Sequence, residues 1–167
     1  MAKRLAVNVR SEIGELEGVI VHTPGTEVEN MTPKNAERAL YSDILTLSVA
    51  GKEYAQFKGV LSKLTNTFEV QDLLTDILSN DKIKENLLEK ICRFESREDV
   101  FNHLLEISPK ESARQLIQGV VEEKNTLTKY LNKERYSLRP LHNFFFTRDA
   151  SMSVLDEVLV VIMVNYF

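Results

Sequence analysis

Between Asp72 and Leu131 the sequence has almost no strand signal, and its apolar residues recur at the three- and four-residue spacing of amphipathic helices. Ile83, Leu87, Ile91 and Phe94 form one apolar stripe with charges between them. Ser96 is placed to cap a second helix carrying Val100, Leu104 and Leu105. The run Ser108-Pro109-Lys110-Glu111 has the spacing of a capping box with proline in the first turn, and Ala113, Leu116, Ile117 and Val120 follow as a buried face. A stretch this long with this pattern predicts a small helical bundle held together by packing. Whatever the rest of the chain forms must accommodate that bundle.

The flanks read differently. Leu16 to His22 predicts a strand closed by the turn signal Pro24-Gly25. Thr32 and Pro33 can start a short helix, and Tyr54, Phe57, Leu61 and Leu64 give helical spacing from Val49 to Leu64. A short strand around Thr67 to Val70 follows. After Tyr136 strand character returns in "FFF", "MSVL" and "VLVVIMV", with Asp156-Glu157 as a hairpin turn that lacks the favoured glycine. The pattern is that of an α/β chain with an inserted helical bundle.

Composition narrows the function classes. At 167 residues the chain suits one domain better than two. Its net charge of -4 argues against non-specific nucleic-acid binding, which needs a basic face. The single cysteine, Cys92, excludes an intrachain disulfide and fits a reducing compartment. The basic start is soon interrupted by Glu12, Glu15 and Glu17 with no long apolar run behind it, so no signal peptide is read. The longest apolar run, Val158 to Val164, is too short to span a bilayer. The expectation is a cytoplasmic protein with neither nucleic acid nor membrane as partner.

Few residues carry chemistry. There is no P-loop, no glycine-rich dinucleotide fingerprint and no zinc spacing, so neither a metal nor a cofactor is expected. His22 reads as a surface or strand-end residue rather than a base, and His103 as a solvated helix residue. Cys92 lies beside Ile91 on the apolar stripe and reads as a small core residue rather than a nucleophile. That leaves Asn143, Phe146, Arg148 and Asp149, in "HNFFFTRDAS". A strand buried on both faces does not carry adjacent charges in its middle without a reason. In an extended strand Phe146 and Arg148 would share one face, Thr147 and Asp149 the other. Periodicity alone leaves two readings level: a structural Arg148–Asp149 pair, or a carboxylate aimed into a pocket.

The stretches "VNVRSEIGELEGVIVHTPG", "MTPKNAERALYSDI", "KEYAQFKGVL" and "RPLHNFFFTRDAS" occur in the order in which the N-terminal part of the bacterial arginine deiminases carries similar ones. The chain resembles that family from about Val7 to about Val160. The last stretch is the most specific: Asn143, Phe146, Thr147, Arg148 and Asp149 follow Pro140 in the family's register, with Ala150 where many members have proline. The resemblance implies a partial α/β propeller of ββαβ units of the pentein type. Residues 1–71 would be a first propeller unit, 72–132 the helical insertion, and 133–167 the start of the next strands. It implies a hydrolase of arginine catabolism that converts L-arginine to L-citrulline and ammonia. A cysteine thiolate attacks the guanidinium carbon, and water cleaves the covalent intermediate. By motif position Asp149 is one of the carboxylates that grip the guanidinium, Asn143 and Phe146 line the pocket, and Leu40 corresponds to a further pocket residue.

The family's histidine motif, second aspartate and nucleophilic cysteine have no counterpart here: no histidine or cysteine follows Asp149. No catalytic residue is therefore assigned. The resemblance implies a fragment, inactive alone, that holds part of the pocket. A binding or regulatory module that associates with a full-length deiminase is the alternative. The uncharged run from Val158 to Val164 predicts self-association through an exposed strand edge.

Overall fold

The computed structural model describes residues 6–11, 13–29, 44–122, 135–144, 146–148 and 151–160. The helix expected at Thr32-Pro33, Leu40, Asp149 and the chain beyond Val160 lie outside the described residues.

Strand β1 (Gly18–Val21) pairs in parallel with β2 (Asn66–Glu69), Gly18 facing Asn66 and Val21 facing Glu69. A parallel pair needs a long crossover between its strands. That crossover includes the four-residue helix α1 (Thr26–Glu29) and the long helix α2 (Leu47–Leu64). Both strands and α2 fall within about two residues of their sequence-predicted bounds. The inward stripe of α2 differs from expectation. Tyr54 and Leu61 are half-buried as their spacing suggests, whereas Phe57 and Leu64 are exposed.

The helical bundle is present: α3 (Val70–Leu78), α4 (Asp81–Phe94), a 3-10 turn (Glu98–Val100), α5 (Phe101–Glu106) and α6 (Pro109–Gln118). Leu78, Leu88, Cys92, Val100, Leu104 and Ala113 belong to its buried core. Local capping fixes the helix starts. Asn80 Oδ1 accepts a hydrogen bond from Ile83 N at 3.2 Å, and Ser108 Oγ accepts one from Glu111 N at 3.3 Å, with Pro109 in the first turn as expected. The Glu111 carboxyl is held by Arg114 and Gln115, whose hydrogen bonds lower its pKa to about 2.

Two details of the bundle correct the sequence reading. The fully buried residues of α4 are Lys84, Leu88 and Cys92; of the expected stripe, Leu87 and Ile91 pack half-buried against the core, while Ile83 and Phe94 point to solvent. The helix is rotated by roughly one residue from the stripe that hydrophobicity alone picks out. Lys84 explains how a charge can sit on the inner face. Its Nζ donates to Leu105 O at 2.8 Å and Ile107 O at 2.6 Å, carbonyls at the C-terminal end of α5 that the helix leaves without partners. Burial lowers the pKa of this ammonium, against the opposing pull of Asp81. Ser96 is not an N-cap. It takes a φ of 54° just past α4, where Arg97 N bonds back to Cys92 O at 2.8 Å, so it closes one helix rather than opening the next.

Beyond α6 the chain turns through Gly119 into β3 (Val120–Val121), which pairs antiparallel with β4 (Tyr136–Leu138). Gly119 has a φ of 86°, and a Cβ there would stand 2.9 Å from Leu138 O and 3.0 Å from Pro140 N and Tyr136 Cδ1. Backbone atoms cannot swing aside as a side-chain tip can. Gly119→Ala is therefore expected to cost about 1–3 kcal/mol in a urea titration, from left-handed strain and the clash together. A cost near zero would mean that the α6–β3 junction relaxes freely.

The final ribbon is a hairpin of β5 (Ser151–Val154) and β6 (Glu157–Val160). Its turn is Leu155-Asp156, one residue earlier than expected, and Leu155 takes the φ of 56° that glycine would favour. The strand expected at "FFF" is not seen at its described residues: Phe144 ends a turn over 142–144 and Phe146 lies outside any strand, while Phe145 lies outside the described residues. The described residues thus form a mixed α/β structure with three two-stranded sheets. No helix among them is long and apolar enough to cross a membrane.

Candidate functional site

The C-terminal ends of parallel strands are where open α/β sheets place ligands. Here β1 runs into His22, Thr23, Pro24 and Gly25 before α1. Glu27 turns its side chain back beneath this loop. Glu27 is buried, and its Oε1 accepts from Gly25 N at 2.6 Å and lies 3.1 Å from His22 Nε2. His22 N donates to the Tyr54 hydroxyl at 2.7 Å, which ties the loop to α2. Beside it, Thr23 N and Oγ1 donate to Glu69 at 3.1 and 2.6 Å, and the Lys58 ammonium pairs with the same carboxylate. Burial alone would raise the Glu69 pKa, but the hydrogen bonds from Lys58 and Thr23 bring it below the ordinary value.

Onto this loop lies the segment singled out by the sequence. Leu141 N bonds Ile117 O on α6 at 2.9 Å. His142 is buried, and its Nδ1–H donates to Glu27 O at 2.5 Å. The Phe144 ring meets the His22 ring edge-on at 5.6 Å, and Thr147 Oγ1 donates to Ile20 O at 3.1 Å. Turn bonds Phe144 N to Leu141 O (3.1 Å) and Phe146 N to Asn143 O (3.0 Å) coil the backbone between these anchors. Asn143 and Phe146 are brought onto one short coil and are both exposed. Arg148 is exposed in a turn. The Arg148 charge is thus not charge inside a doubly buried strand. Asp149 and Leu40 lie outside the described residues.

Two expectations are revised. His22 does end a strand, but it is buried against Glu27 rather than lying at the surface. The anchoring partners Glu27 and His142 were not singled out by sequence reasoning at all. They are 115 residues apart, and the Glu27 carboxylate is buried through His22 and Gly25 while its backbone carbonyl receives His142. The readings of His103 and Cys92 hold. His103 is exposed and bonded to Gln115 at 2.8 Å. Cys92 is buried in the bundle core, where burial, with Asp99 and Glu98 nearby, raises its thiol pKa. A thiol in that state is a poor nucleophile. The described residues contain no group of His, Cys, Asp and Glu suited to a metal ion. An open depression of about 600 Å³ lies at the other end of β1 and β2, lined by Glu15, Glu17, Lys63 and Asn66 among others, remote from the docked segment.

No protein-family model matches the sequence. Curated proteins do. The chain is 31% identical over 169 residues to a protein of Limosilactobacillus reuteri named arginine deiminase, covering 92% of this chain and 41% of that protein. It is 30% identical over 165 residues to the arginine deiminase of Pediococcus pentosaceus (90% and 40% covered) and 31% identical over 173 residues to that of Listeria monocytogenes (96% and 42%). The chain therefore spans about two-fifths of the length of the curated relatives it matches.

Proposed function

Because this chain is a homologue of the arginine deiminases over about two-fifths of their length, we propose that it supplies one wall of a guanidino-substrate pocket and has no turnover of its own. The observation that supports this reading is the docked segment. Pro140, Asn143, Phe146, Thr147, Arg148 and Asp149 keep the family's spacing, and a buried anchor at His142 and an exposed one at Thr147 flank Asn143 and Phe146, whose side chains are at the surface.

In this reading Asp149 receives the substrate guanidinium through charge-assisted hydrogen bonds, Asn143 and Phe146 line the pocket, and Leu40 contributes from the 30–43 stretch. Arg148 has a structural role nearby. The substrate is L-arginine. The N-terminal part of an α/β propeller, residues 1–71 and 133–167, frames the wall, and residues 72–132 are the helical insertion. Hydrolysis to citrulline and ammonia needs a thiolate able to reach the guanidinium carbon. The chain's one cysteine is sealed in the bundle, so that step must come from residues of another segment.

The test has two arms. The 167-residue chain is incubated with L-arginine and citrulline is measured; formation no faster than in a protein-free control is expected. Residues 1–155 are then fused to the part of the Limosilactobacillus reuteri protein beyond its match, and this chimera is expected to form citrulline. In it, Asn143→Ala should raise KM about 10-fold or more with a smaller change in kcat, as lost substrate contact does. Citrulline from the chain alone, or a folded but inactive chimera, would overturn the proposal.

A further inference from the structure

From Arg139 to Asn143 exposure alternates: Pro140 and His142 are buried, and Arg139, Leu141 and Asn143 are exposed. The buried imidazole of His142 and the exposed amide of Asn143 are therefore neighbours on one backbone. The peptide unit between them is planar, so whatever fixes the Cα of the first closely restricts that of the second.

Filling an inward position does not require a polar ring, since a leucine would bury as well. The imidazole adds a donor, Nδ1–H, directed at Glu27 O at 2.5 Å. The acceptor is itself held. Glu27 lies in α1, a single turn whose last carbonyls lack intrahelical partners. Its side chain is 1% exposed, with Oε1 bonded by Gly25 N and beside His22 Nε2. Val28, next in the chain, is fully buried, and its N donates to Gly25 O at 3.1 Å. A Cβ on Gly25 would stand 2.7 Å from Glu27 Oε2 and 2.8 Å from Gln118 Nε2, so the loop has no room to shift toward either. Just before His142, Leu141 N is tied to the carbonyl of the buried Ile117 at 2.9 Å. The end of β1, α1 and the end of α6 thus form one shelf, and the His142 bond fastens Asn143 to it. At 4% exposure His142 offers no face to a ligand, so any effect it has on one passes through its neighbour.

We propose that His142 is a positioning residue of the guanidino pocket: its hydrogen bond to Glu27 O sets where Asn143 stands against the substrate. This role rests on the proposed function for Asn143 as a pocket residue. Because His142 acts through Asn143, losing it costs no more binding than losing Asn143 itself.

The first test uses the 167-residue chain and amide hydrogen exchange. His142→Leu keeps bulk and removes the donor. The amides of Phe144 and Phe146, which bond Leu141 O and Asn143 O, are expected to exchange about 10-fold faster or more, while those of Leu88 and Cys92 in α4 keep their parental rates. Should α4 loosen as well, His142→Met, an unbranched filler, is read in its place. Unchanged exchange at Phe144 and Phe146 would overturn the proposal. The second test uses the citrulline-forming chimera. There His142→Leu is expected to raise KM about 10-fold with a smaller change in kcat, and to add less than about 2-fold to KM once Asn143→Ala is present. His142→Asn, whose amide can donate from near the Nδ1 position, should lie closer to the parent. Effects that multiply in the double variant, or a loss of kcat at parental KM, would mark a merely structural histidine and overturn the proposal. A KM that Asn143→Ala leaves unmoved is a different failure: it removes Asn143 from the pocket, and the role of His142 with it, even where the exchange result holds.

Discussion

Asp149→Asn in the active chimera is expected to reduce citrulline formation by about 100-fold or more while the melting temperature moves by no more than about 2 °C. The substitution keeps the shape and removes the charge. A carboxylate that receives a guanidinium makes two charge-assisted bonds in a fixed plane, and an amide offers one acceptor and a donor that opposes the substrate's own. The guanidinium carbon is then no longer held in line for attack, and misplacement of about 1 Å costs on the order of 100-fold in rate. If Asp149 instead serves Arg148 as a structural pair, the balance reverses: stability falls and turnover per folded molecule hardly changes. Citrulline assays and thermal melts on the same preparation separate the two. Near-parental activity would remove Asp149 from the pocket.

Leu88→Ala is expected to cost about 2–5 kcal/mol, against less than about 1 kcal/mol for Ile83→Ala on the same helix. Leu88 is 0% exposed and touches the core formed by α3–α6, so truncation leaves a cavity that a close-packed bundle only partly fills. Ile83 is 47% exposed, and its truncation removes area already half in water. Equilibrium urea unfolding of the two variants gives the comparison directly. The opposite order would restore the stripe Ile83, Leu87, Ile91 and Phe94 as the inner face of α4.

Much of this molecule is set by short-range rules, and those parts were legible. Helical spacing for α4, and Ser108 as a cap with Pro109 in the first turn for α6, fix these helices within a few residues of chain. The hairpin of β5 and β6 follows from two apolar runs broken by charge, and β1 from a strand closed by Pro24-Gly25. Cys92 was legible as a core residue because it neighbours an apolar stripe and carries no cue for activation. What the tertiary structure alone decided is what meets what. Lys84 faces inward because the α5 carbonyls wait there for donors, a fact of partner geometry that hydrophobicity does not record. Phe57 and Leu64 face outward because α2 packs through Tyr54 and Leu61 instead. Phe144 and Phe146 lie outside any strand because His142 and Thr147 bind backbone carbonyls of α1 and β1, more than a hundred residues earlier. Local propensity is worth tenths of a kcal/mol per residue, whereas a buried histidine with its hydrogen-bond partner is worth more, so where the two conflict the long-range contact sets the conformation.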